Sequence, residues 1–160
     1  MKTRQTLGME LHPALGNLAG LVGTWRGRGH GDYPSIEAFS YLEEVTFGHV
    51  GKPFLAYTQK TRGAETNAPL HAESGFIRPG ADGHAEWVIA QPTGIVEVLV
   101  AERELDFYSA SITLSPTAKS VTRVRRALVL DGDTLSYEVH MAAVDEPMQW
   151  HLSARLHRDT

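Results

Sequence analysis

The sequence predicts an all-β domain, namely an antiparallel up-and-down β-barrel of about ten strands that follows one short N-terminal helix. Three observations support this prediction. Apolar residues alternate with polar ones, or form short β-branched runs, through most of the chain, and both patterns are typical of strands. Turn-forming residues separate these runs at short intervals. Helical spacing of apolar residues occurs in one segment near the N-terminus.

The helix is predicted between Leu11 and Val22. Its apolar residues recur at helical spacing and are Leu15, Leu18, Leu21 and Val22. Pro13 stands where the first turn of a helix tolerates proline. Gly16 and Gly20 oppose the prediction, since each glycine costs about 1 kcal/mol in a helix interior. No second helix is evident.

Ten runs after the helix are predicted to be strands. They lie near residues 24–30, 38–48, 53–62, 70–77, 85–91, 94–104, 106–114, 121–130, 134–144 and 148–157. Turn signals between them, such as 92–94 and 131–133, indicate short hairpin connections. A closed barrel suits such a series, because closure removes exposed strand edges and encloses a cavity. A β-sandwich is the alternative architecture.

Alternation is clearest in the ninth run. One face carries Leu135, Tyr137, Val139, Met141 and Ala143, and the other carries Ser136, Glu138 and His140. Met141 is therefore predicted to point into the barrel and His140 to point outward.

Composition limits the classes of function. A chain of 160 residues with 42% hydrophobic content suits a single domain over 1–160. A net charge of −4 disfavours nucleic acid as a partner. The absence of an apolar run of membrane-spanning length, and of a secretory signal in the first residues, predicts a cytoplasmic protein without membrane attachment. With no cysteine, metal ligands must come from histidine or carboxylate, and any haem must be held without covalent links.

The segment GTWRGRGHG has a small or aromatic residue at every second position. Gly23, Trp25, Gly27, Gly29 and Gly31 would share one face of a strand. A dinucleotide-binding loop needs a helix directly after its glycines, whereas strand-like sequence follows here. The glycines are therefore predicted to permit the close approach of a helix, a neighbouring backbone or a flat ligand.

The stretch that begins with these glycines and continues as DYPSIEAFSYLEEVTFGHVGKPFLAYTQKTR resembles the nitrobindin family. The family pattern is Gly-x-Trp-x-Gly-x-Gly, then Tyr-Pro-Thr-Ile and Gly-Lys-Pro-Phe-Leu. The match extends in order through HAESGFIRP, AQPTGIVEV and HLSARLHR, and so covers nearly the whole chain. Ser35 departs from the more common threonine but keeps the hydroxyl.

The resemblance implies a b-type haem, one per chain, with His151 as the proximal iron ligand. Alternation within the last strand disagrees, because His151 shares its parity with polar residues while Leu152, Ala154 and Leu156 form the apolar set. Either a bulge resets the register after Met148, or the strand end reaches the haem at the barrel mouth. His157 is the fallback ligand.

The resemblance also implies which other residues surround the haem. His71 would lie on the opposite side from His151, Leu70, Gln91 and Met141 would line the cavity, and Ser35 would contact the cofactor near the entrance. The alternative for both residues is a purely structural role, with His71 as a hydrogen-bonded histidine at a strand end and Gln91 as a turn residue before proline. His12, His49, His84 and His140 are predicted bystanders, and His30 is predicted to lie near the ligand mouth.

The activity implied by the resemblance is that of a ferric haem protein that binds nitric oxide reversibly and isomerises peroxynitrite to nitrate. The competing interpretation is a lipocalin-like carrier, which would use the same barrel for an apolar small molecule without a metal. A monomer and a weak homodimer are both compatible with the sequence.

Overall fold

Ten antiparallel strands close into a barrel in which each strand pairs with its neighbours in sequence and the first pairs with the last. The computed structural model describes residues 8–33, 36–143 and 145–159. The strands are β1 (Gly23–Tyr33), β2 (Ile36–Gly48), β3 (Leu55–Gly63), β4 (Pro69–Arg78), β5 (Glu86–Ala90), β6 (Ile95–Arg103), β7 (Asp106–Leu114), β8 (Val121–Asp131), β9 (Thr134–Ala143) and β10 (Glu146–Arg158). The predicted barrel is confirmed, and the β-sandwich is wrong.

The predicted helix is present, but as a 3-10 helix over Pro13–Leu21. Its buried residues Leu15, Leu18 and Leu21 are three apart, which is the period of a 3-10 helix. Gly16 breaks the helix, because its φ of 52° lies in the left-handed region. A second 3-10 turn, Ala81–Gly83, occupies what the sequence indicated as a loop. In the part of the chain that the structure describes, no helix has the length and apolar character to cross a bilayer.

The N-terminal helix covers one end of the core through Trp25. The Trp25 indole is fully buried, and its Nε1 donates a hydrogen bond of 2.8 Å to the Leu21 carbonyl at the helix end. Arg158, near the end of β10, places its guanidinium carbon 4.2 Å from the centre of the Trp25 ring. This cation–π contact joins the first and last strands to the helix.

The glycines of β1 make room for aromatic side chains of β2 and for the backbone of β10. A Cβ atom on Gly29 would lie 2.2 Å from the ring of Tyr41, and one on Gly31 would lie 2.4 Å from the ring of Phe39. A Cβ on Gly27 would lie 2.1 Å from the Arg155 carbonyl oxygen. The predicted close approach is confirmed for a neighbouring backbone, with rings of the protein itself added to it.

The barrel wall is weakest between β7 and β8. Their backbone pairing covers Asp106 to Tyr108 against Arg125 to Ala127, although both strands are much longer. Beyond these pairs the Val124 amide donates instead to the Ser109 hydroxyl, at 3.0 Å. The strands therefore diverge toward Leu114 and Val121.

Candidate functional site

The barrel encloses a cavity of about 810 Å³. Five of the six side chains predicted to surround a cofactor line it together, namely Leu70, His71, Gln91, Met141 and His151. Ser35, the sixth, lies outside the described residues. Leu70 is half-exposed while Met141 is partly buried, so the cavity runs from the solvent into the core.

A β-bulge places His151 in the cavity wall. The pairing of β10 with β9 runs from Trp150 opposite His140 to Leu152 opposite Val139, which leaves His151 as the extra residue. As a result His151 and Leu152 both line the cavity although they are consecutive. The parity conflict in the sequence is thus resolved by the first of its two explanations, a bulge after Met148.

The His151 ring is oriented by the backbone of β1. Its Nδ1 lies 3.1 Å from the Asp32 carbonyl oxygen. In the tautomer that donates from Nδ1 to this carbonyl, the lone pair of the ring is on Nε2, and this is the usual arrangement of a metal-binding imidazole. Burial lowers the pKa of His151, while the Asp32 carbonyl acts in the opposite direction.

The histidines that the sequence analysis set aside lie outside the cavity wall or have hydrogen-bond partners of their own. His12 accepts from the Ala14 amide, His49 accepts from the Gly51 amide, and His84 Nδ1 lies 2.8 Å from the Ala101 carbonyl oxygen. His140 lies on the outward face, as predicted, and His157 is exposed beside β1.

His30 differs from its prediction. Its ring is exposed and lies 3.0 Å from the Ser40 hydroxyl, and it does not line the cavity. The prediction that His30 lies near the ligand mouth is therefore not supported by its position.

Sequence reasoning missed a buried cluster of charged residues on the same cavity. Arg126 of β8, only 8% exposed, donates to Glu73 of β4 at 2.8 and 2.9 Å and to Glu97 of β6 at 3.0 and 2.6 Å. Tyr57 adds a hydrogen bond of 3.0 Å to Glu73. Burial would raise the pKa of Glu73, but Arg126 and His71 outweigh it and hold that pKa at about 2.

A third carboxyl group, Glu43, accepts hydrogen bonds from uncharged side chains in the described part of the chain. Gln59 donates to it at 2.8 Å and Tyr137 at 2.6 Å, and the Tyr137 hydroxyl lies 2.8 Å from that of Tyr41. Burial raises the pKa of Glu43 to about 7, although the bonds from Tyr137 and Gln59 lower it. The cavity wall thus holds three carboxyl groups and the Arg126 guanidinium, and Lys119 lines the same cavity.

A signal for this cluster was present in the sequence. Glu97 falls on the same strand face as the apolar residues Ile95 and Leu99, and Arg126 falls on the same face as Val124 and Leu128. A charged residue at apolar parity within a strand indicates an inward charge that needs a partner. Pairing these residues with one another requires the barrel register, which periodicity alone does not give.

The residues present fit a haem. The volume of the cavity lies within the range of cofactor and ligand sites. Its wall combines the oriented imidazole of His151 with apolar side chains such as Leu152 and Met141. Among residues 8–33, 36–143 and 145–159, no three His, Asp or Glu side chains converge as a metal-ion site. Haem iron already has four porphyrin nitrogens, and one imidazole suffices as its protein ligand.

Comparisons with known proteins agree with this geometry. Peroxynitrite isomerase 2 of Mycobacterium avium (strain 104) is 54% identical over 156 residues, which cover 93% of this chain and 97% of that protein. Peroxynitrite isomerase of Nocardia farcinica is 50% identical, with 93% of each chain covered. The crystal structure of Rv2717c from M. tuberculosis superposes with a TM-score of 0.86 at 48% identity, covering 94% of this chain and 100% of that one.

The family described as THAP4-like, haem-binding β-barrel domain matches residues 14–158, which is nearly the whole chain. The match includes the glycine-rich strand, the buried charged cluster and the bulge that carries His151. The chain therefore belongs to the family of THAP4-like haem-binding β-barrel domains, as its resemblance to the nitrobindins predicted.

Proposed function

We propose that this protein holds one haem b without covalent links, with His151 as its axial ligand, and isomerises peroxynitrite to nitrate. The observation that carries the proposal is the placement of His151. A bulge turns this residue into a cavity of about 810 Å³, and the Asp32 carbonyl orients its ring. The names of the relatives, peroxynitrite isomerases at about half identity over most of the chain, support the reaction.

When bound, haem supplies the ferric iron at which peroxynitrite rearranges. Peroxynitrite and nitrate have the same atoms and the same charge, so the isomerisation needs no net proton transfer and no general base from the protein. The chain's contribution is to bind and orient. His151 would supply the imidazole that holds the iron, Leu152 and Met141 would shield the bound group from water, and His71 and Gln91 offer polar groups on the cavity wall.

Nitric oxide is proposed as a second ligand of the same site. It is small and neutral, so charged side chains in the cavity wall would not hinder its entry, and an iron held by a single imidazole would leave a coordination position for it. A cytoplasmic location, the monomer or weak homodimer, and the lack of nucleic acid and membrane partners stay predictions from the sequence.

A carrier of an apolar small molecule is the alternative function. The apolar part of the cavity wall suits it, but the deeper part contains Glu43, Glu73, Glu97 and Arg126. A fatty acid would find the Arg126 guanidinium already engaged by two carboxylates. The interior thus favours the haem protein over a carrier of the fatty-acid-binding type.

The test is the substitution His151→Ala. The purified wild-type chain is expected to bind added haem with a Soret band and to accelerate peroxynitrite decay to nitrate. H151A is expected to lose tight haem binding and the acceleration, while its far-ultraviolet circular dichroism still shows the folded barrel.

His157→Ala is the matched control, because His157 is exposed on the same strand. It should bind haem like the wild type. Full haem binding and activity in H151A would remove His151 from the proposal. A wild-type chain that retains no haem absorbance once the excess haem is removed would favour the carrier.

A further inference from the structure

Arg126 forms a buried bridge across the barrel interior. Its guanidinium binds Glu73 with two nitrogens and Glu97 with two, at distances between 2.6 and 3.0 Å. All three side chains are at most 8% exposed. Bidentate, charge-assisted hydrogen bonds of this kind hold side chains in one geometry, so the bridge is a rigid part of the cavity wall.

Each end of this bridge reaches one of the two polar residues expected near the cofactor. On one side Nε2 of His71 lies 3.9 Å from Oε2 of Glu73. On the other side Gln91 donates from Nε2 to Oε2 of Glu97 at 2.5 Å. His71 and Gln91 are far apart in sequence, and their shared link to Arg126 is visible only in the folded barrel.

The contact between His71 and Glu73 is electrostatic. A separation of 3.9 Å exceeds a hydrogen bond but lies within the range of a strong charge interaction in a partly dry wall. Arg126 keeps Glu73 ionised. The negative charge of Glu73 therefore lies close to Nε2 of the His71 ring and not to Nδ1. A carboxylate in this place favours the ring form that carries a proton on Nε2 and opposes rotation that would turn a lone pair toward it.

We propose that Glu73 is a positioning residue for His71: held by Arg126, its carboxylate fixes the orientation of the imidazole and keeps the proton on Nε2. The neutral ring then carries its lone pair on Nδ1, and this decides whether His71 accepts or donates toward a molecule in the cavity. The role of that molecule as an iron ligand rests on the proposed function, whereas the ring state does not.

The first test reads the His71 ring directly in the full chain without haem. Nitrogen-15 spectra of histidine-labelled protein at about pH 8, above the usual titration range of imidazole, report which nitrogen carries the proton. The variant His71→Gln identifies the His71 signals. The wild type should show the proton almost entirely on Nε2, and Glu73→Gln should show a mixture of the two tautomers.

Glu97→Gln is the matched control. It removes the other carboxylate of Arg126 but touches Gln91 and not His71, so its His71 signals should equal those of the wild type. Glu73→Gln keeps the side-chain volume and leaves Arg126 paired with Glu97, which favours folding. If it does not fold, the wild-type spectrum still decides, because a ring protonated on Nδ1 contradicts the proposal.

A second test uses the haem-loaded protein and azide as the probe ligand of the ferric iron. Glu73→Gln should change the azide dissociation constant by about threefold to tenfold, and should have no further effect in the His71→Gln background.

The outcomes separate the two proposals. Equal effects of Glu73→Gln in both backgrounds, or equal changes of the His71 spectrum in Glu73→Gln and Glu97→Gln, would mean a general structural effect and overturn the inference. A wild-type chain without a Soret band would instead overturn the proposed function and leave the nitrogen-15 result standing.

Discussion

The Tyr137 hydroxyl donates a hydrogen bond of 2.6 Å to Oε1 of Glu43 inside the barrel, and within residues 8–33, 36–143 and 145–159 no cationic side chain binds that carboxyl group directly. Burial therefore dominates, and it raises the pKa of Glu43 from an ordinary 4.5 to about 7. Glu43 thus changes charge near neutral pH, whereas Glu73 stays ionised down to about pH 2.

The substitution Glu43→Gln should alter the pH dependence of stability. Because the pKa is higher in the folded state, the stabilising contribution of protonated Glu43 is present in full below about pH 4.5 and is lost as the pH rises through about 7. The free energy of unfolding of the wild type, relative to E43Q, should fall by roughly 3 kcal/mol between pH 4.5 and pH 8. Urea denaturation at several pH values measures it.

Glu44→Gln is the control, since Glu44 is on the outer face of the same strand and pairs with Arg26 and Lys60. Its pKa is lowered by the Arg26 hydrogen bond. The free energy of unfolding of the wild type, relative to E44Q, should stay constant above about pH 5. A difference between wild type and E43Q that is constant with pH would contradict the assignment of Glu43.

Gly29→Ala in β1 should disturb the hydrogen-bonded network inside the barrel. The added Cβ would lie 2.2 Å from the Tyr41 ring, which is buried and hydrogen-bonded to Tyr137, so the ring cannot yield freely. Overpacking of this kind costs about 1–3 kcal/mol, measured as a lower melting temperature. Gly48→Ala, where an added Cβ meets nothing within 4 Å, should be nearly neutral, and equal effects of the two substitutions would contradict this explanation.

Hydrogen exchange should be fastest in the wall between β7 and β8. The pairing there stops at Tyr108 and Arg125, so the amides beyond it toward 114 and 121 that face the gap have no partner strand. Ser109→Ala should release the Val124 amide, which donates to the Ser109 hydroxyl, and should raise its exchange rate about tenfold. Amides between β3 and β4 serve as the protected reference, and comparable protection in both places would contradict the gap.

Arg158→Met should loosen the helix-covered end of the barrel. Arg158 lies over Trp25, donates to the Gly20 carbonyl at 2.8 Å and to Asp133 at 2.9 Å, and also contacts the Val22 carbonyl. Its loss should cost about 2 kcal/mol of unfolding free energy. Arg155→Met, at an exposed position of the same strand, should change stability little. Tryptophan fluorescence during urea denaturation follows both, and equal destabilisation would show that charge alone matters.

Much of the fold could be predicted because strand periodicity is local. The alternation from Leu135 to Met141 correctly placed these side chains inside, and the ten runs lie close to the ten strands. The helix type could not be predicted in this way. Leucines three apart satisfy a 3-10 helix and an amphipathic α-helix alike, and the left-handed backbone of Gly16, which breaks the helix, has no signature in the spacing.

The candidate site was predictable in part for the same reason. Met141 followed from alternation, but His71, Gln91 and His151 depended on the family resemblance. Periodicity contradicted His151, because a bulge arises from the pairing of β10 with β9 and not from β10 alone. Glu73, Glu97 and Arg126 bind one another across three strands that are not neighbours in sequence, so no local pattern could pair them.

The extra residue at His151 also makes the registers of the two halves of β10 independent of each other. On the C-terminal side, pairing with β1 sets the register of Leu152, Ala154 and Leu156. On the N-terminal side, Gln149 pairs with Met141 of β9. A change of hairpin length between β9 and β10 can be absorbed before the bulge, without turning the apolar trio outward. Removing one residue at the bulge itself would force a choice, because a regular strand can direct either the imidazole or the trio into the barrel, but never both.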